Sequence, residues 1–172
     1  MVETKAKRPT DSLREDHVTV IAQLNRLRDA SGKLTSVSKS QVDEAKVAIG
    51  EVAVFLAKEL ELHLRKEEEA LFPPLEAMIG ANGGPTAVMR YEHEDLRAKN
   101  KELQSLVADF GDAEKTQQNT HGLQGTISHI YEVLTQHIHK EDYILFPMAN
   151  DALKPQDLEK VASKMRELDG GR

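Results

Sequence analysis

The sequence predicts an all-α protein: an antiparallel up-down-up-down four-helix bundle followed by a short C-terminal fifth helix. Three observations carry this prediction. Apolar residues recur in alternating steps of four and three along most of the 172-residue chain, the spacing of one helix face. Strand-like alternation is almost absent. The chain also repeats itself: His63-Leu-Arg-Lys-Glu67 with Leu-Phe-Pro ending at Pro73 returns as His137-Ile-His-Lys-Glu141 with Leu-Phe-Pro ending at Pro147. An internal repeat of this length points to a duplicated supersecondary unit.

The first helix carries Leu13, His17, Val20, Leu24 and Leu27, with Thr10 and Asp11 as its capping residues. A polar stretch, SGKLTSVSKS, leads to the second, whose seam reads Ile49, Ala53, Leu56, Leu60, His63 and Glu67. That helix is expected to end near Pro73 and Pro74, or one turn later through LEAMI. GANGGP is a clear break, and Pro85 suits the first turn of the third helix. Its seam is Met89, His93, Leu96, Asn100, Leu103, Val107 and Phe110. The fourth helix follows the polar GDAEKTQQNT segment with Ile127, Ile130, Leu134, His137, Glu141 and Leu145 in step. Pro155 to Leu168 reads as a short amphipathic fifth helix, and Gly170 and Gly171 end it. The expected division is a flexible tail over 1–9, the bundle over 10–150, and the short helix and its tail over 151–172.

Composition bounds the function. A chain of this length fits one compact domain. There is no Cys, so a metal must be held by nitrogen and oxygen, which favours iron, manganese or zinc. A net charge of -6 with acids and bases interleaved argues against a nucleic-acid partner. No apolar run is long enough for a bilayer, and the first residues lack a signal-like apolar stretch. A soluble cytoplasmic protein is expected.

The repeat carries the chemistry. Residues four apart share a helix face, so each motif offers an imidazole and a carboxylate to one point. The duplication extends to Leu-Arg-Glu-Asp-His ending at His17 and Met-Arg-Tyr-Glu-His ending at His93. In an antiparallel bundle the early His17 and His93 fall at the same end as the late His63 and His137. One His–acid pair in a chain with 30% charged residues is usually a solvated surface pair. Two in identical contexts, joined by two more seam histidines, are poor core material unless a metal satisfies them. Six ligands exceed the four of a structural zinc and suggest two metals, each with two His and both sharing Glu67 and Glu141.

With those residues in place the chain resembles a hemerythrin-like protein of the histidine-histidine-glutamate cation-binding family over roughly residues 10 to 150. The doubled His-x-x-x-Glu followed by Leu-Phe-Pro is the specific part of the match. The resemblance implies a four-helix bundle with two iron ions, oxo- or hydroxo-bridged and spanned by Glu67 and Glu141. The implied ligands are His17, His63, Glu67, His93, His137 and Glu141. It also implies a small-molecule reactant: peroxide, dioxygen or nitric oxide.

The chain departs from the oxygen-carrying members of that family. Their second histidine in the third helix is replaced by Arg97, and Glu141 follows His137 by four residues rather than five. Two His per iron leave an exchangeable position on both metals, which suits catalase-like or nitric oxide chemistry better than reversible oxygen carriage. Leu64 stands where some sensing members carry glutamate. The favoured expectation is a scavenging or stress-defence role. The alternatives are an oxygen or iron storage or sensing module acting through a partner, and a helical interaction protein with a structural metal.

Weaker assignments surround the six. Glu59, one turn before His63, is a candidate extra ligand or an acceptor behind the ligands. Asn100 is expected to hydrogen bond inside the bundle. Glu92 and Glu94 point about 100° to either side of His93, toward solvent or neighbouring helices. His139 is expected at the surface and His129 deeper in the bundle. Tyr131 is placed within reach of a pocket wall, Tyr91 and Tyr143 point away from the ligand face, and His121 is assigned no role.

Overall fold

The computed structural model describes residues 7–80 and 84–171, and every regular element among them is helical. α1 (Pro9–Lys33) begins with Pro at its first position, where a missing N–H costs nothing. Thr10 and Asp11 are therefore inside the helix rather than ahead of it. Asp11 still serves the end, accepting the Arg8 backbone N–H at 2.9 Å. Of the expected tail over 1–9, residues 1–6 lie outside the described residues.

The second helical run is α2 (Lys39–Phe55), a π turn over Leu56–Leu60, α3 (Glu61–Lys66), a second π turn over Glu67–Leu71, and α4 (Phe72–Ile79). Ser38 caps α2 through its hydroxyl. The run passes straight through Pro73 and Pro74 and takes the further turn through LEAMI. It stops at Gly80, whose φ of 86° is the left-handed conformation that glycine adopts readily. Residues 81–83 of the Gly-rich break lie outside the described residues. α5 (Pro85–Ala108) leads through a 3-10 turn, Asp109–Gly111, to α6 (Ala113–Lys140). Asp112 caps α6 by accepting from the N–H groups of Glu114 and Lys115, so most of GDAEKTQQNT is helix and not linker. A π turn over Glu141–Leu145 and α7 (Phe146–Ala152) continue that run, and α8 (Pro155–Gly170) is the fifth.

The two π turns at Glu67 and Glu141 have the same cause. Pro73 and Pro147 cannot donate to the carbonyl four residues back, and their rings crowd it. Widening the preceding turn by one residue accommodates this without breaking the helix. The N–H groups of Phe72 and Phe146 accordingly reach the carbonyls of Glu67 and Glu141, five residues back.

α1 packs on α2 and α6, and α5 packs on α6 and α2, so the four runs enclose a common interior. That interior holds two apolar clusters. The larger runs from Val20 to Ala30 in α1 and on to Leu34 just beyond it, and includes Ile49, Leu56, Leu64, Leu96, Leu103, Ile127 and Leu134. The smaller joins Leu13, Leu71, Phe72, Met89, Leu145 and Phe146 to Val161 and Met165 of α8. Between them, along every run, falls one polar layer. No described helix is long and apolar enough to cross a membrane.

Candidate metal centre

The polar layer consists of the six residues singled out by the repeat. His17 lies between Leu13 and Val20, His93 between Met89 and Leu96, and the two His–Glu pairs just before Leu71 and Leu145. All six are buried, Glu67 and Glu141 completely. They form two four-residue clusters that share both glutamates: His17, His63, Glu67 and Glu141, and Glu67, His93, His137 and Glu141. Within each cluster the candidate ligand atoms all lie within 4.8 Å of one another.

Each glutamate divides its oxygens between the clusters. Glu67 Oε1 lies 3.4 Å from His63 Nε2, and its Oε2 3.3 Å from His93 Nε2. Glu141 Oε2 lies 3.1 Å from His17 Nε2, and its Oε1 2.9 Å from His137 Nε2. The two Nε2 atoms within each cluster are 3.1 Å apart. These are close contacts and not satisfied hydrogen bonds, because all four carboxylate oxygens are buried without a hydrogen-bond partner. Buried anionic oxygens left in this state are costly. Four nitrogens and four oxygens converging on two points fit metal ions of nitrogen–oxygen preference.

The other nitrogen of every ring is engaged. His63 Nδ1 lies 3.2 Å from Asp16 Oδ2 and His137 Nδ1 2.8 Å from Glu92 Oε2. His17 Nδ1 lies 2.9 Å from Asp142 Oδ1 and His93 Nδ1 2.7 Å from Glu68 Oε1. A carboxylate at Nδ1 keeps the proton there and leaves the Nε2 lone pair facing inward, the arrangement that orients a histidine ligand. Asp16 and Glu92 serve the histidine of their own hairpin, whereas Glu68 and Asp142 reach across to the other. Phe146 stacks on His17 at 5.5 Å and Phe72 on His93 at 5.7 Å, so the Phe of each Leu-Phe-Pro closes the opposite cluster.

In the metal-free protein these groups shift one another's protonation. Burial pulls His63 and His137 down, but Glu67 beside the first, Glu141 beside the second and their Nδ1 carboxylates push both up to about 10. Burial likewise opposes protonation of His17 and His93, and the neighbouring carboxylates raise both. Burial works against the Glu67 carboxylate, yet His63 and His93 hold it well below the usual range. Glu68 falls to about 2 against burial, through His93 and Arg97. Without a metal, the carboxylates around these rings thus favour their protonated forms.

Glu59 joins neither cluster. It is exposed and lines a cavity of about 130 Å3 with Asp16, Thr19, Phe55, His63 and Lys66, and Asp16 holds the position behind His63. Asn100 accepts from Gln104 at 3.2 Å. Glu94 and His139 are exposed as expected, and Glu92 meets the neighbouring helix. His129 is not deep: it is partly exposed and paired with Asp95 at 2.6 Å. Tyr131 contacts Arg28 and Asn25 between helices. Arg97 binds Glu68 at 2.9 and 3.0 Å and Glu61 at 2.9 and 3.1 Å. Sequence reasoning missed Asp16, Glu68 and Asp142. Their signal is an acid immediately before the first histidine of each hairpin, and one immediately after each glutamate.

The family profile described as Hemerythrin HHE cation binding domain matches residues 8–149. The iron-sulfur cluster repair protein YtfE of Dickeya chrysanthemi (strain Ech1591) is 34% identical over 92 residues, 53% of this chain and 42% of the relative. The protein of the same name from Enterobacter sp. (strain 638) is 32% identical over 121 residues, 67% of this chain and 54% of the relative. The chain spans about half the length of the curated relatives it matches. No solved structure matches it. The family match and the two buried His/Glu clusters together identify a metal-binding site.

Proposed function

The chain belongs to the hemerythrin HHE cation-binding family, and from that premise we propose that it is a two-iron protein that reacts with a small oxidant in stress defence. His17 and His63 would hold one ion and His93 and His137 the other, and Glu67 and Glu141, each with one oxygen facing each cluster, would serve both. The observation that carries this reading is the division of both carboxylates, one oxygen to each cluster, with all four oxygens otherwise unpartnered. The antiparallel up-down-up-down bundle belongs to the same reading, supported by the early histidines of α1 and α5 meeting the late ones of the second and fourth runs.

A pair of iron ions held there would supply redox chemistry toward peroxide, dioxygen or nitric oxide. The chain does the rest. Two histidines and two carboxylate oxygens per ion leave positions for water or reactant. Asp16, Glu68, Glu92 and Asp142 fix ring orientation and keep the Nδ1 protons in place. Phe72 and Phe146 exclude water from one side of the layer. The cavity of about 130 Å3 beside His63 would admit a small reactant next to the first cluster. The name of the relatives, iron-sulfur cluster repair, supports a defence role.

Purification in air followed by iron analysis, near-ultraviolet spectroscopy and peroxide addition tests the proposal. Two irons per chain, oxo-bridge absorption and consumption of peroxide are expected. A two-iron protein inert to peroxide and nitric oxide that binds oxygen reversibly once reduced would transfer it to the carrier class.

A further inference from the structure

Lys66 is only 4% exposed, an unusual place for a cation, and such a group needs carboxylate partners. It has two. Its ammonium lies 2.9 Å from Asp169, in the last turn of α8, and 3.4 Å from Asp16 Oδ2. That same Oδ2 faces His63 Nδ1 at 3.2 Å. A line of polar contacts therefore runs from the C-terminal helix to a histidine of the centre: Asp169, Lys66, Asp16, His63. The helix is seated to serve it, since α8 packs on α1, α3 and the π turn at Glu67 and buries Val161 and Met165 in the smaller apolar cluster.

The second hairpin shows what the line adds. Lys140 occupies the position of Lys66 in the repeat and pairs with Glu92, which holds His137. Its side chain is 33% exposed, so water shares the work of solvating it. Lys66 has no such recourse. If Asp169 is neutralised, the buried ammonium falls back on Asp16, whose Oδ2 must then satisfy it at the expense of the His63 ring.

We infer that α8 is a positioning strap for the first cluster: Asp169 holds the Lys66 ammonium so that Asp16 keeps His63 oriented toward the centre. Asp169 and Lys66 are positioning residues and touch neither metal nor reactant. The inference rests on the proposed two-iron reading for its consequence, though not for its geometry.

Full-length Asp169→Asn tests it, because Asp169 lies at the surface and its loss leaves the apolar core intact. Two readouts are compared with wild type: exchange of the histidine Nδ1 protons with water in metal-free protein by nitrogen-15 NMR, and iron release to a chelator from loaded protein. His63 exchange should quicken about tenfold while His137 is unchanged, and one of the two irons should leave about tenfold faster. Asp169→Glu should restore both. Unchanged His63 exchange, equal acceleration at His63 and His137, or failure of Asp169→Glu to restore would each overturn the strap. If wild-type protein holds fewer than two irons, the proposed function fails, and the ring-proton comparison still decides the strap.

Discussion

The two halves of the centre are built to one plan facing inward and to two plans facing outward. Each half has two histidines, a share of both glutamates, a carboxylate on every Nδ1 and a stacked phenylalanine from the opposite Leu-Phe-Pro. Behind that layer they diverge. The first half backs His63 with Asp16, a buried Lys66 and α8, and has a cavity beside it. The second backs His93 with Glu68, which Arg97 clamps together with Glu61. Within the repeat, Arg97 corresponds to Ile21, which is partly exposed. Groups that meet a metal have little freedom in chemistry or angle, whereas their supports only have to hold them and can do so by different means.

Removing a shared element should abolish the distinction between the halves. Glu67→Ala or Glu141→Ala takes one oxygen from each cluster, so iron content should fall from about two per chain to well below one in either variant, as measured by metal analysis. Loss of iron from one half alone would break the bridging assignment.

Supports should act on one half each. Asp142→Asn weakens the orientation of His17, and Glu68→Gln that of His93. Each should lower iron affinity about 10- to 100-fold at one of two sites, seen as biphasic competition with a chelator. A uniform loss across both sites in either variant would count against the separation.

The response to pH separates metal-free from loaded protein. His63 and His137 are raised to about 10 in the metal-free chain from an unfolded value near 6.5. Their contribution to stability is therefore full below about pH 6.5 and lost as pH rises through about 10. Iron must displace those protons, so its affinity should instead rise over the same range. Thermal melts from pH 6 to 10 should drift down without iron, while iron competition tightens. A metal-free melting temperature that rises over this range would contradict the protonated imidazoles.

The smallest effects should come from the stacked rings. Phe146→Leu and Phe72→Leu each shrink a fully buried side chain and remove its stack on a histidine, and should each cost about 1–2 kcal/mol by denaturant unfolding. Their similarity tests whether the inward plan is shared.

The sequence made the inward plan legible and the outward one opaque. The six central residues combine helical period, repetition and a burial cost that solvated pairs would not carry, and each signal is local. Asp16, Glu68 and Asp142 sit beside those residues but point to adjacent helices. In a chain rich in surface charge their partners depend on interhelical rotation. Pro73 and Pro74 read as a helix end because a π turn leaves no mark of its own in the sequence. The first turns of α6 read as a linker because most of their residues face solvent, where no apolar stripe forms.

The most direct test is a metal count on paired half-deletions. Wild type, His17→Ala with His63→Ala, and His93→Ala with His137→Ala are loaded with iron and analysed. About two ions per wild-type chain and about one in each double variant are expected, because each half keeps two histidines and both glutamates. A single ion in the wild type, or an unchanged count after removal of one half, would contradict the two-metal centre.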